Sequence, residues 1–504
     1  MDSSIRLCAD YEEGMTEFSD TIRAAQSTIY YSTFLCNPDH QLTGQPKGVT
    51  ITTLFTDAAN RGVQIFILFN PETRYGNLKP ADFLAKFPAG VRLRAVHGSG
   101  KLHPISKLIS KNEKYSNHHQ KYMCVDGTRM LVTGCDIDPD RAGWLTLNPS
   151  GYYWHEFLMS VPCTPDMYSY VQRNFDAICD PPPPLTMGKS EHDLMVGMIR
   201  GAKHFIHLES QICSTADSTK NNIFGALAER LAQAHKNPSS DRFFCFMLTN
   251  LRQVDESKTV DWMMRQDVLW SRRYLRQACK ALDTPWTFVL DRVFMGTLQV
   301  GDIHVKVHSN ILIQDGRALL RTSSNLSDRS MSDRPCDTEL GIVINNPHVV
   351  SQFQQKLFTR YLGGETPRSP WAFFKAVREQ KSDTYLPKPI RLSVGGNGDK
   401  TRVPDKMVNL LMDAIHKPKV FGGKELIVWE VVEVKRKHKK NWYKHPAVVT
   451  LFIVVAILVA AVLLWWLHGT SAPAVLLENT VPIVSVGPLS CSTGTVNPPP
   501  VVAL

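Results

Sequence analysis

A chain of 504 residues is long enough to bury two sizeable cores. Its 43% apolar content argues against a disordered protein, and its formal net charge of +10 suits an anionic partner such as a phospholipid headgroup or a nucleic-acid backbone. Its 11 cysteines show neither a disulfide framework nor zinc-ligand spacing, so they read as reduced, buried thiols, and no metal or other cofactor is expected.

In chain order, the first thirteen residues lack the apolar run of a secretory signal. Residues 27–34 predict a strand, 48–61 a helix and 63–69 a buried strand. Four prolines at 181–184 form a stiff, non-helical boundary. The order then recurs, with a helix over 189–202, a strand over 204–208, a helix over 222–235 and a strand over 243–248. This alternation predicts an α/β fold of two halves with mixed sheets, 1–180 and 185–365. Residues 366–434 are an extension of unclear role, expected to pack on a cleft between the halves or to link it to a membrane. A basic segment, 435–445, precedes an apolar run at 446–467 that is long enough for a transmembrane helix and is bordered by Trp442, Tyr443, Trp465 and Trp466. The tail, 468–504, has no Lys or Arg. The positive-inside rule then places the N-terminal part in the cytosol, and the basic segment also suits anionic lipid headgroups.

One motif occurs twice. His119, Lys121 and Asp126 are followed by a small-residue turn with Gly134 and Asp136. His308, Asn310 and Asp315 are followed by Ser323, Ser324 and Asn325. If each motif is a strand, His119 and Lys121 share one face, and so do His308 and Asn310. Each imidazole can serve as nucleophile or general acid near neutral pH. Lys121 can hold phosphate oxygens, and Ser324, Asn325 and the turn around Asp136 can add polar contacts. Asp126 and Asp315 complete the motifs as catalytic candidates able to lock the surrounding structure. Glu156 and Glu339 follow the two motifs and are candidates for orienting the histidines. His118 is expected to face outward, opposite His119.

At these residues the chain resembles the phospholipase D superfamily, whose His-x-Lys-x4-Asp signature also occurs twice. Residues 206–211 and the 328–330 and 337–339 segments resemble further elements of that family, and the likeness covers roughly 10–365. The His-His-Gln-Lys form is similar to that of phosphatidylcholine-cleaving members. The resemblance implies two halves related by a pseudo-two-fold, with the site in their shared cleft. It also implies a phosphohistidine formed on His119, with His308 protonating the leaving alcohol. The substrate would be a phospholipid, cleaved to phosphatidic acid at a membrane.

The second motif departs from the family by placing Asn310 where lysine is usual. An amide can hydrogen-bond a phosphate but cannot neutralise it, which costs on the order of 2–4 kcal/mol of transition-state stabilisation. Lys306, two residues before His308, is the candidate to compensate; the competing reading is a weakened site. Two other functions stay open: a nuclease of the same superfamily acting on nucleic acid, and a catalytically weak membrane-remodelling protein of viral envelope type.

Overall fold

The computed structural model describes residues 5–70, 80–95, 118–134, 136–138, 141, 151–176, 187–213, 222–250, 258–300, 303–331, 337, 339–379 and 387–389. All of them belong to one compact unit. The proline boundary at 181–184, the basic segment, the apolar run at 446–467 and the tail lie outside the described residues. Among the described residues, no helix is long and apolar enough to cross a membrane.

The first half contains β1 (Arg6–Cys8), α1 (Tyr11–Ala24), β2 (Thr28–Thr33), α2 (Ile51–Asn60), β3 (Gln64–Phe69), α3 (Pro80–Leu84) and β4 (Arg92–Ala95). It continues with β5 (Tyr122–Val125), β6 (Arg129–Thr133), β7 (Tyr153–His155), β8 (Leu158–Pro162) and α4 (Pro165–Asp176). The second half contains α5 (Met187–Gly201), β9 (Phe205–Ser210), α6 (Ile223–Lys236), β10 (Phe244–Thr249), α7 (Lys258–Ala281) and α8 (Trp286–Arg292). It runs on through β11 (Val293–Val300), β12 (Ile303–Val307), β13 (Ile311–Gln314), β14 (Ala318–Thr322), α9 (Asp328–Met331) and β15 (Gly341–Ile344). The chain then forms α10 (Pro347–Tyr361), α11 (Pro370–Glu379) and β16 (Pro387–Pro389).

Local sequence chemistry sets several helix starts. Asp10 accepts from the Glu13 amide ahead of α1, Thr50 and Thr53 form a reciprocal cap on α2, and Asn346 precedes a proline at the start of α10.

Among the described residues the strands form two mixed sheets, a seven-stranded one in the order β1-β8-β6-β5-β2-β3-β4 and a nine-stranded one in the order β15-β14-β13-β9-β10-β11-β12-β7, with β16 pairing β11. The same pattern is built twice. The strands β2, β3 and β4 pair in parallel, as do β9, β10 and β11. Antiparallel pairing joins β2 to β5, β5 to β6 and β6 to β8, and likewise β9 to β13, β13 to β14 and β14 to β15. The exception is β7: it comes from the first half but pairs in parallel with β12 of the second sheet.

Alternation along each strand feeds two layers. In β2, Ile29 and Tyr31 pack with α1 and α2, while Tyr30 joins the central cluster. That cluster also takes Phe246 of β10, Phe353 and Phe358 of α10, and Phe373 and Phe374 of α11. Residues 370–379 are therefore core rather than appendage. A third cluster packs α5 and α6 on the outer face of the second sheet.

The motif aspartates lock surrounding backbone, as expected, and the correction concerns only their place among the catalytic candidates. Asp126 and Asp315 sit at the far ends of β5 and β13, both in the left-handed region, at φ 54° and 53°. Asp126 accepts from the amides of Gln26, Ser27 and Thr28 at 2.8–2.9 Å. Asp315 accepts from the amides of Lys203, His204 and Phe205 at 2.7–2.9 Å. Each carboxylate thus ties the turn after its motif strand to the start of the neighbouring strand, and its oxygens are committed to backbone. Asp126→Ala or Asp315→Ala should therefore lower stability by about 1–3 kcal/mol, because three backbone amides, two exposed and one half-buried, lose a charged acceptor. Turnover per folded molecule should stay near wild type. Urea unfolding alongside active-site titration checks this; lost turnover at full stability would restore a catalytic role.

Candidate active site

The two motif histidines lie outside the strands, at the junctions leading into them. His118–Lys121 precede β5, and His308–Asn310 bridge β12 and β13. The assumption of a continuous strand is thus corrected, although Lys121 still sits beside His119: its Nζ donates to the His119 carbonyl at 3.0 Å. His118 is also corrected. It is buried, with Nε2 2.7 Å from Ser32 Oγ, and burial, with the charges of Lys121 and His119, pushes its pKa down to about 3.

Each histidine is held by a carboxylate from the opposite half. His119 Nδ1 lies 2.9 Å from Glu339 Oε2, and His308 Nδ1 lies 2.8 Å from Glu156 Oε2. With Nδ1 held, each ring presents Nε2 for chemistry. The delivery of Glu156 explains the odd placement of β7, since pairing with β12 carries Trp154, His155 and Glu156 to the second motif. His155 O accepts from the amides of both His308 and Ser309. Gln120 reaches the other way and donates to the Glu339 carbonyl at 3.2 Å.

The two carboxylates are not equivalent. Burial raises the pKa of Glu156 to about 7 against the opposing charge of Arg321, whose Nη2 donates to it at 2.5 Å. Burial also works to raise Glu339, but the charge of His119 and hydrogen bonds from His119 and Ser323 outweigh it and hold Glu339 below the usual carboxylate range. His308 is pushed well below the usual imidazole range, first by burial and then by the charges of Arg141, Lys306 and Lys121.

Arg321, a lone charge in the apolar strand β14, also donates to the Asn310 carbonyl at 2.9 Å. Gly134 is small for a physical reason: a Cβ there would meet Glu156 Oε2 at 2.2 Å and Arg321 Nη2 at 2.7 Å.

Three of the expected phosphate contacts are committed elsewhere. Asn310 Oδ1 accepts from Ser210 Oγ at 3.0 Å and the Gln211 amide at 3.2 Å, and its Nδ2 donates to the Ser323 carbonyl at 3.4 Å, so it clamps the end of β9. Ser324 Oγ donates to Glu191, which also accepts from Thr322 Oγ1. Asp136 is buried and accepts from the Leu35 amide at 2.9 Å. Two candidates keep a place at the site. Asn325 is buried, and its backbone amide donates at 3.3 Å to Ser330 Oγ, the hydroxyl that donates in turn to Glu339. Lys306 is buried with Nζ 5.0 Å from the Trp154 ring centre, on the ring that packs 4.5 Å from His308. Among the described residues no group of three or more His, Cys, Asp or Glu side chains is placed to hold a metal.

Sequence reasoning missed Arg321, Glu191, Arg141 and Trp154. It also missed Glu209, which accepts from His155 Nε2 at 2.9 Å, His207 Nε2 at 2.7 Å, Ser309 Oγ and the Tyr361 hydroxyl. That network stitches β7 and β9 to the loop carrying His308. A single buried charge inside an apolar strand, as in residues 205–210 and 318–322, was the available signal.

No family model matches the chain. Over 184 residues it is 27% identical to phospholipase D zeta 1 of Arabidopsis thaliana, a match spanning 32% of this chain and 16% of that protein's length. Among solved structures it is similar to a phosphatidylserine synthase of Haemophilus influenzae, with 12% identity, 70% of this chain and 84% of that one covered, and a TM-score of 0.46. A polyphosphate kinase of Porphyromonas gingivalis gives 11%, 70%, 50% and 0.38, and the phospholipase D family member Nuc of Salmonella typhimurium gives 16%, 34%, 91% and 0.23.

Two tests follow from this geometry. Glu156→Gln and Glu339→Gln keep the shape of each pair but release the tautomer, so each should lower turnover by about 10²-fold or more; an unchanged rate in either would break the crossed-pair account. Burial raises Glu191 from 4.5 to about 7, so the folded state holds its proton above the unfolded value and stability falls as pH rises between the two. Glu191→Gln should reduce that fall, read as the difference in urea midpoint between pH 5 and pH 8.

Proposed function

We propose that this chain is a phospholipase D-type phosphodiesterase working through a phosphohistidine, with a membrane phospholipid as its substrate. The observation that carries this reading is the crossed pairing: two imidazoles, each fixed through Nδ1 by a buried carboxylate from the other half. The duplicated motif and the similarity to a phospholipase D support it.

We further propose that His308 is the nucleophile, reversing the order that the family resemblance suggests. Its surroundings favour the neutral imidazole, whose Nε2 lone pair attacks phosphorus as the bond to the leaving oxygen breaks. His119, held by a carboxylate kept ionised, is the general acid that protonates that oxygen. His119 then takes a proton from water, the water oxygen attacks phosphorus, and the phosphorus–nitrogen bond breaks. The Lys121 ammonium and the Asn325 amide bear on the phosphoryl oxygens. We also propose that residues 446–467 span the membrane, with the basic segment 435–445 and the catalytic part on the cytosolic side, which holds the cleft near lipid.

The test uses the full chain in detergent micelles, with phosphatidylcholine vesicles and labelled oligonucleotides offered in parallel. Release of phosphatidic acid is the expected result; cleavage of oligonucleotide alone would make the protein a nuclease, and no cleavage of either would leave the non-catalytic reading. His119→Ala and His308→Ala should each abolish turnover, and the double variant should be no worse than either, because members of one catalytic unit are non-additive. Rapid quenching of turnover on lipid radiolabelled at phosphorus should place the acid-labile label on His308. A label on His119 reverses the assignment.

A further inference from the structure

The second half-site lacks the lysine of the first, yet it is crowded with positive charge. In the first half-site, Phe34 is the shared surface: the His119 ring lies 5.1 Å from it and Lys121 Nζ 5.0 Å from its centre. In the second, Trp154 has the same two neighbours, with the His308 ring at 4.5 Å and Lys306 Nζ at 5.0 Å. Trp154 carries a third. The Arg141 guanidinium carbon lies 3.8 Å from its ring centre, within stacking distance. Among the described residues, Phe34 has no such guanidinium. Arg141 is buried, follows the turn after β6 and donates its amide to the Asp138 carbonyl at 3.0 Å. It therefore reaches Trp154 from the first half, while Lys306 reaches it from the second.

Resting on the phosphodiesterase reading, we infer that Arg141 and Lys306, seated on Trp154 beside His308, form an oxyanion subsite that holds phosphoryl oxygens in the second half-site. Asn310 does not take that role: its amide nitrogen donates to the Ser323 carbonyl at 3.4 Å, its amide oxygen accepts from Ser210 and Gln211, and it carries no charge. Lys306 alone would match Lys121 as a point charge. Arg141 adds a planar fork of donors that fits two phosphoryl oxygens at once, and stacking on the indole fixes its plane in advance. The positive charge of Arg141 lowers the pKa of both His308 and Lys121, which places it near the groups of both half-sites. The ligand chemistry is a tetrahedral phosphoryl group, supplied by the reacting diester or by free phosphate.

The experiment measures binding of inorganic phosphate to the full-length protein in micelles by isothermal titration, beside kcat/KM on phosphatidylcholine vesicles. Arg141→Gln should weaken phosphate binding about ten-fold or more and lower kcat/KM in step. Arg141→Lys should recover part of both, since a point charge lacks the fork. Lys306→Met should weaken both independently, and it carries the test should Arg141→Gln fail to fold. Wild-type phosphate affinity in a folded Arg141→Gln or Lys306→Met protein overturns the subsite. The two readings fail separately. Phosphate binding lost with Arg141 in a protein that cleaves no diester leaves the subsite and removes the phosphodiesterase, whereas diester cleavage untouched by Arg141→Gln does the opposite.

Discussion

The structure turns on an exchange of carboxylates between two halves of the same fold. Glu156 leaves the first half to hold His308, and Glu339 leaves the second to hold His119. Neither half can orient its own histidine, so the duplicated sheets must dock before either imidazole is fixed. The docking is built into the topology. The strand Tyr153–His155 lies in the second sheet, and the chain returns to the first sheet at Leu158, after only two intervening residues. Breaking that pairing would strand Glu156 and Arg321 as buried charges, a cost well above that of an ordinary strand contact.

Much of the fold was legible because its signals are local. The strand at 64–69 and the helices at 51–60 and 223–236 follow directly from apolar periodicity. The motif residues were legible as a set because the pattern occurs twice. Their individual duties were not, because a duty depends on what a side chain meets across the sheet. Asp126 and Asp315 read as site residues, yet their oxygens are taken by the amides of a neighbouring strand about a hundred residues earlier. The sequence spacing gives no hint of that partner. Asn310 likewise looks like a weakened lysine and is in fact a clamp on β9. The crossing of Glu156 and Glu339 was invisible for the same reason: each follows its own motif in sequence but serves the other in space.

Buried charge explains why so many small residues surround the site. Gly134 leaves room for the Glu156–Arg321 pair, and Gly341 leaves room for Glu191, whose Oε1 would meet an added Cβ at 2.4 Å. Such networks are costly to desolvate and stable only when every member is paired. Here Arg321 donates to three backbone carbonyls and a carboxylate and Glu209 accepts from four groups, although Arg321 Nε and His207 Nδ1 meet no partner among the described residues. These bonds hold the two carboxylates in fixed positions, the arrangement that electrostatic preorganisation would require of the proposed activity.

Rigidity alone does not make two similar histidines do different work. A double displacement needs one neutral imidazole and one that carries a proton, and a symmetric site would offer neither preference. The asymmetry comes from the groups that hold the two carboxylates. Arg321 stands against Glu156, while Ser323 and the backbone-anchored turn stand against Glu339. On the Trp154 side, Arg141 and Lys306 add positive charge beside His308. Cations that depress a proton's affinity for His308 are also the groups that would attract a phosphoryl anion to it. On the proposed phosphodiesterase reading, the positive charge that Lys121 gives the first half-site comes in the second from Arg141 and Lys306 and not from position 310, and it falls beside the histidine proposed to attack.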